Sequence, residues 1–153
     1  MAKRFKFSLE AVLDQRKRVE DQKQQVTAER LRSLERSQYE LAGLNDDFRS
    51  SSEALRRGHR GLDGEGLRLH YAHLQFLDRA ITAQIRVVAE RRIALDRARF
   101  ELLEAGKARK VVEKLKERRR ESFAMEEFRM EQVEIDDGNA RRFSRTAGIG
   151  AML

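Results

Sequence analysis

His70 and His73 stand three residues apart, with His59 and Asp63 just before them. On a helix, one turn would present both histidines to a metal ion, but no third ligand has a fixed helical spacing to them. Surface histidines are the favoured reading, and no metal is expected. The glycine-rich stretch Gly58–Gly66 invites comparison with a phosphate-binding loop. It fits neither G-x-x-x-x-G-K-[ST] nor G-x-G-x-x-G, and no strand precedes it. A turn between two helices is expected, and no nucleotide or other cofactor. Most carboxylates, such as Glu113 and Glu117, lie three or four residues from Lys or Arg. That is ordinary pairing on a helix surface. Catalysis requires groups that converge in a pocket, so the expectation is a protein that is not an enzyme and has no small-molecule substrate.

Two further clusters suit binding. Lys107–Arg120 carries eight cations and only two carboxylates. It reads as a solvated face, as a match for an acidic protein surface, or as a nucleic-acid contact. The last is disfavoured. A basic-region zipper places its basic stretch before a parallel zipper, and single strands need interleaved aromatics. The second cluster is Phe123, Met125, Phe128 and Met130. It can fold back on Phe5 and Phe7, or it can bind a partner.

These groups must sit on something, and the bulk composition says what. The chain has 153 residues, of which 39% are charged and 7% aromatic, with a net charge of +7. A globular domain carries roughly 25% charged residues. Proline is absent, where an average chain would hold about 7 or 8. Proline breaks helix interiors, so its absence suits long unbroken helices. Cysteine is also absent, so no disulfide or thiol chemistry is available. The basic N-terminus is followed by no apolar run of signal-peptide length, and none is long enough to span a bilayer. A soluble, cytoplasmic protein is expected.

A first helix is predicted over about residues 8–57, capped by Ser8. Val12, Val19 and Val26 recur every seven residues, as do Leu34, Leu41, Phe48 and Leu55. The step from Val26 to Leu34 is eight, which predicts one register shift near Arg30. Leu9, Arg16, Lys23 and Arg30 form a weaker second row whose long stems can lie along a seam. Residues 58–65 are the predicted turn, with Gly58 supplying a left-handed cap. A second helix is predicted over about 65–137. Its stripe is Leu67, Leu74, Ile81, Val88, Leu95 and Leu102, widened by Leu77, Ile85 and Ala98. Gly106 is a soft spot costing about 1 kcal/mol relative to Ala.

Two long helices joined by a short turn lie antiparallel. The fold class is therefore all-α, a long two-helix antiparallel coiled-coil hairpin over residues 1–138. Val12 is set near Val112 and Leu34 near Val88. The paired section spans on the order of 75 Å at the helical rise per residue. Beyond about Leu115 the second helix should lack a partner within the chain. Residues 139–153 have no periodic pattern and read as a disordered tail.

Several segments together resemble one family. Phe5-Lys6-Phe7, followed by Leu9, Val12-Leu13, Arg16 and Glu20, resembles the N-terminus of the flagellar FliJ family. Lys110-Val111-Val112-Glu113-Lys114-Leu115-Lys116-Glu117-Arg118-Arg119 resembles its C-terminal signature. Glu126, Glu131-Gln132 and Ile135-Asp136 extend that likeness. Tyr71, Leu74, Leu77 and Ala80-Ile81 resemble the opening of its second helix. The resemblance covers roughly residues 5–143. It implies a coiled coil like that of the gamma subunit of rotary ATPases. It also implies a non-enzymatic stalk of the flagellar type III export apparatus, peripheral at the inner-membrane face. The implied partners are the hexameric export ATPase (FliI-like), the export gate (FlhA-like) and export chaperones. The implied gate-binding face is Leu41, Leu44, Phe48, Leu77 and Ala80. His73 and Gln84 depart from it, standing where an enteric member would carry Phe and His. For contact with the ATPase, Lys107, Lys110, Lys114, Arg118, Arg119, Arg120, Phe123 and Phe128 are the candidates. A YscO-like stalk of a virulence-type secretion system shares the fold and is the nearest alternative. A basic coiled coil binding nucleic acid, or a generic adaptor, would be alternatives of another class.

Overall fold

The computed structural model describes residues 4–150, with side chains as far as Ser144. Helix α1 spans Glu10–Gly58, a 3-10 turn spans His59–Gly61, and helix α2 spans Gly64–Gly150. No strand occurs among the described residues. The two helices pack against each other as a helical hairpin. Their contacts define two compact units. One is formed by Met1–Lys17 and Lys107–Leu153, the other by Arg18–Gly106.

The connection differs from the expected glycine cap. No glycine adopts a positive φ among the described residues, and Gly58 is right-handed at φ −103°. The chain turns by tightening into the 3-10 segment, and then Leu62 extends at φ −93°, ψ 139°. Asp63 starts α2. Its Oδ1 accepts the Gly66 N–H at 2.8 Å, and its carbonyl accepts the Leu67 N–H at 3.1 Å. A short carboxylate at this position satisfies a backbone donor that the first helical turn leaves unpaired. Gly66 makes room for it, because a Cβ there would stand 3.0 Å from the Asp63 Oδ1 and 3.2 Å from Leu62.

In the Arg18–Gly106 unit the seam on α1 runs Glu20, Thr27, Leu34, Leu41, Phe48 and Leu55, each buried or half-buried. The spacing is seven throughout, so the expected register shift near Arg30 does not occur. Val26 is 38% exposed. Leu13, in the other unit, keeps the same spacing at 2% exposure, while its neighbour Val12 is 37% exposed. The valine row lies beside the seam, which is led by polar residues.

Those polar residues are satisfied within α1 and across the seam. Lys23 Nζ donates to Glu101 Oε2 at 2.6 Å. Thr27 Oγ1 donates to the Lys23 carbonyl at 2.8 Å and reaches the Ala98 carbonyl at 3.3 Å. Arg91 Nη1 donates to the Ser33 carbonyl at 2.8 Å. Gln84 Nε2 donates to the Ser37 carbonyl at 3.0 Å and to Glu40 Oε2 at 2.9 Å. Ser37 is fully buried and donates to the Leu34 carbonyl. Helix carbonyls have a second lone pair available for such bonds. No buried side-chain N or O lacks a partner among the described residues. The bonds to the Ala98, Ser37 and Ser33 carbonyls fix the antiparallel register, because each joins the two helices at one particular backbone acceptor. Leu77, Leu95 and Ala98 are buried on α2, as expected, but Ile85 is 52% exposed and lies outside the stripe. Gly106 lies against Glu20, whose Oε1 would stand 3.2 Å from an added Cβ.

α2 does not end near Asp137; the helix continues through Gly138 to Gly150. Gly138 keeps a non-positive φ. One exposed glycine costs a helix only about 1 kcal/mol, and no proline follows to stop it. The expected tail over 139–153 is thus helical as far as Gly150, and its last three residues lie outside the described ones.

Candidate functional site: the Phe5–Glu10 clasp and the basic face of α2

The unit containing both ends of the chain holds most of the residues singled out for binding. Ser8 is not the helix cap. Glu10 N–H bonds the Phe7 carbonyl at 3.2 Å, and Leu13 N–H the Leu9 carbonyl at 3.0 Å. Residues 4–9 continue along α2 as a non-helical clasp. Ser8 Oγ accepts from Arg119 Nη1 at 2.8 Å. Lys116 Nζ donates to Glu10 Oε1 at 2.8 Å and pairs with its Oε2 at 2.7 Å.

Phe7, 9% exposed, lies between two cations. The Lys116 Nζ and the Arg119 Cζ each stand 5.9 Å from its ring centroid. The ring's negative face attracts both charges. Phe5 meets Phe123 with ring centroids 5.6 Å apart at 55°, a tilted geometry that aromatic pairs favour. α2 therefore has an intrachain partner as far as Phe123, beyond the expected limit near Leu115. The reason is that the clasp reaches further than the helix it precedes.

The clasp divides the predicted ATPase-contacting residues. Arg119 and Phe123 are engaged by it. Lys107, Lys110, Lys114, Arg118 and Arg120 are exposed. Lys110, Lys114, Arg118 and Arg120 form no ion pair among the described residues, whereas Arg109 pairs with Glu113. Phe128 is 63% exposed, with Met125 and Met130 similarly open. Sequence reasoning counted Lys116 in the basic run but paired neither it with Glu10 nor Arg119 with Ser8. The signal that finds them is the antiparallel register, which places residues 8–10 opposite 116–119.

In the Arg18–Gly106 unit, the residues of the implied gate-binding face share the seam. Leu41, Leu44, Phe48 and Ala80 are half-buried, and Leu77 is buried at 4% exposure. Burial leaves Leu77 little surface to offer a partner. An open depression of about 460 Å³ lies beside Phe48, lined also by Asn45, Arg49, Ser52, Glu53 and Arg56. His70 is half-buried and His73 exposed. Among the described residues, no group of three or more His, Cys, Asp or Glu side chains could hold a metal ion. No helix among them is long and apolar enough to cross a membrane.

What the arrangement offers is binding: half-buried apolar edges, exposed cations and an aromatic clasp on paired helices. This is the class of helical-hairpin interaction proteins. The family model of the flagellar FliJ protein matches residues 5–148, and the chain belongs to that family. Its role accordingly lies in flagellar protein export. Comparison with curated proteins and with solved structures returns no match.

Proposed function

We propose that the chain is the central stalk of the flagellar export apparatus. It contacts the hexameric export ATPase with α2, meets the export gate through the Leu41–Phe48 edge, and escorts export chaperones. It works without chemistry of its own, in the cytoplasm at the inner-membrane face. The observation that carries this reading is the family match over residues 5–148. The exposed cations Lys110, Lys114, Arg118 and Arg120 support the ATPase contact, because they offer several weak charge contacts rather than one deep pocket. Exposed ion pairs contribute about 0–1 kcal/mol each, so such contacts exchange readily. The flagellar family match favours this stalk over its virulence-type counterpart.

The test is the activity of the purified export ATPase with and without the full chain. Wild type should stimulate hydrolysis. Reversal of Lys110, Lys114, Arg118 and Arg120 to Glu should abolish stimulation while helicity is retained. Undiminished stimulation by the reversed variant would remove these residues from the contact.

A further inference from the structure

Within the unit that contains both ends of the chain, α2 reverses its charge midway. Residues 107–120 carry eight cations and two carboxylates, whereas residues 121–137 carry seven carboxylates and a single cation, Arg129. The clasp and the start of α1 make the first half more basic still, with Arg4, Lys6, Arg16 and Lys17 against Glu10 and Asp14. Arg141 and Arg142 follow the acidic half. None of the charged side chains of 121–137 makes an ion pair among the described residues. Both halves lie on one uninterrupted helix, so they run end to end and cannot turn back on each other. Lys110, Lys114 and Arg118 form an exposed row that continues through Glu121, Met125 and Phe128 at steps of three and four. Met125 is 66% exposed and Phe128 63%. That spacing sets the row on one side of α2, away from Lys116 and Phe123, which the clasp holds.

The charge reversal selects the occupant. A partner helix of one charge would match one half of the row and oppose the other, and like charge across an interface opposes binding. A second copy running parallel would set like on like throughout. A second copy running antiparallel matches both halves at once, because a two-fold axis repeats each contact with the roles exchanged. We propose that two copies of this chain pair through α2, antiparallel, about a two-fold axis between Arg120 and Glu121. That axis sets Lys110 level with Glu131 of the second copy, and Lys114 level with its Glu127. It lays the aliphatic stems of the basic half along Met125 and Phe128. The same chemistry is already present where Lys116 and Arg119 flank Phe7. The overlap over residues 107–134 is about 40 Å long at the helical rise per residue. The stalk reading assigns the same cations to the export ATPase, so pairing withdraws them from it. The dimer is measured with no ATPase present, and each reading can fail without the other.

The test is sedimentation equilibrium of the full chain at low salt, where a species of twice the chain's mass should form at micromolar concentration. Salt at about 500 mM should weaken it at least about tenfold, because exposed charges are then screened. K110E/K114E and E127K/E131K should each weaken the dimer by about tenfold or more, with the helical circular-dichroism signal unchanged. Mixing the two variants should restore a dimer of wild-type strength, because every reversed charge then meets its opposite. The proposal is overturned if the wild type stays monomeric, if either reversal leaves the dimer undiminished, or if the mixture of variants fails to dimerise.

Discussion

Asp63 and Gly66 act as one device at the scale of single residues. The carboxylate caps α2 only because no Cβ occupies the space beside it. Asp63→Ala should lower stability by about 0.5–2 kcal/mol, read from the shift of a urea unfolding curve. Gly106 behaves differently. Its crowding neighbour is the far end of the flexible Glu20 side chain, which can shift by a few tenths of an ångström. Gly106→Ala should therefore keep most of its propensity gain and raise stability by roughly 0.5–1 kcal/mol.

Lys23 and Glu101 give a residue-scale pH effect. The hydrogen bond from Lys23, and then its charge, hold the Glu101 carboxyl below its ordinary value of 4.5. A depressed carboxyl adds stability above its unfolded pKa and loses that contribution as pH falls through its folded pKa. The loss belongs below about pH 4.5 here. Unfolding curves of wild type and Glu101→Gln should differ at neutral pH and converge as pH falls past that point. Parallel curves across the whole range would mean the pair contributes nothing.

For the elements, the choice between two rows of α1 decides the core. Val12 and Leu13 are adjacent, yet one is 37% exposed and the other 2%. Leu13→Ala should cost about 2–5 kcal/mol, whereas Val12→Ala should cost under about 1 kcal/mol, since a half-open valine has little packing to lose. Equal costs would restore the valine row. The stripe on α2 was legible because its leucines, isoleucine and valine are themselves the seam. The seam on α1 was not, because Glu20, Lys23, Thr27 and Ser37 look like surface when one helix is read alone. Their partners Glu101, Ala98 and Gln84 lie far along the chain. The clasp was half legible. Phe5 and Phe7 pointed toward Phe123, but the cations around Phe7 required the register to be known.

On the scale of the whole molecule, the net charge of +7 and the exposed cations and apolar side chains on the paired helices suit a protein that acts through contacts. Flagellated cells lacking the chain should export less flagellar protein to the medium and swim poorly. Wild type should restore both, and export at the normal level in the deletion strain would contradict the role.

Composition and spacing alone determined that the chain is helical, that it turns once near Gly61, and that its two helices run antiparallel. Proline is absent, glycine clusters once, and apolar residues recur every seven. These are local properties, and each acts without knowledge of the partner helix. Only the tertiary structure decided which face of α1 turns inward, how far the clasp covers α2, and that the helix passes Gly138. The seam's polar groups are satisfied partly within α1 and partly by α2, as Lys23 is by Glu101 and the Ser37 carbonyl by Gln84, and that second part is a property of two distant segments together.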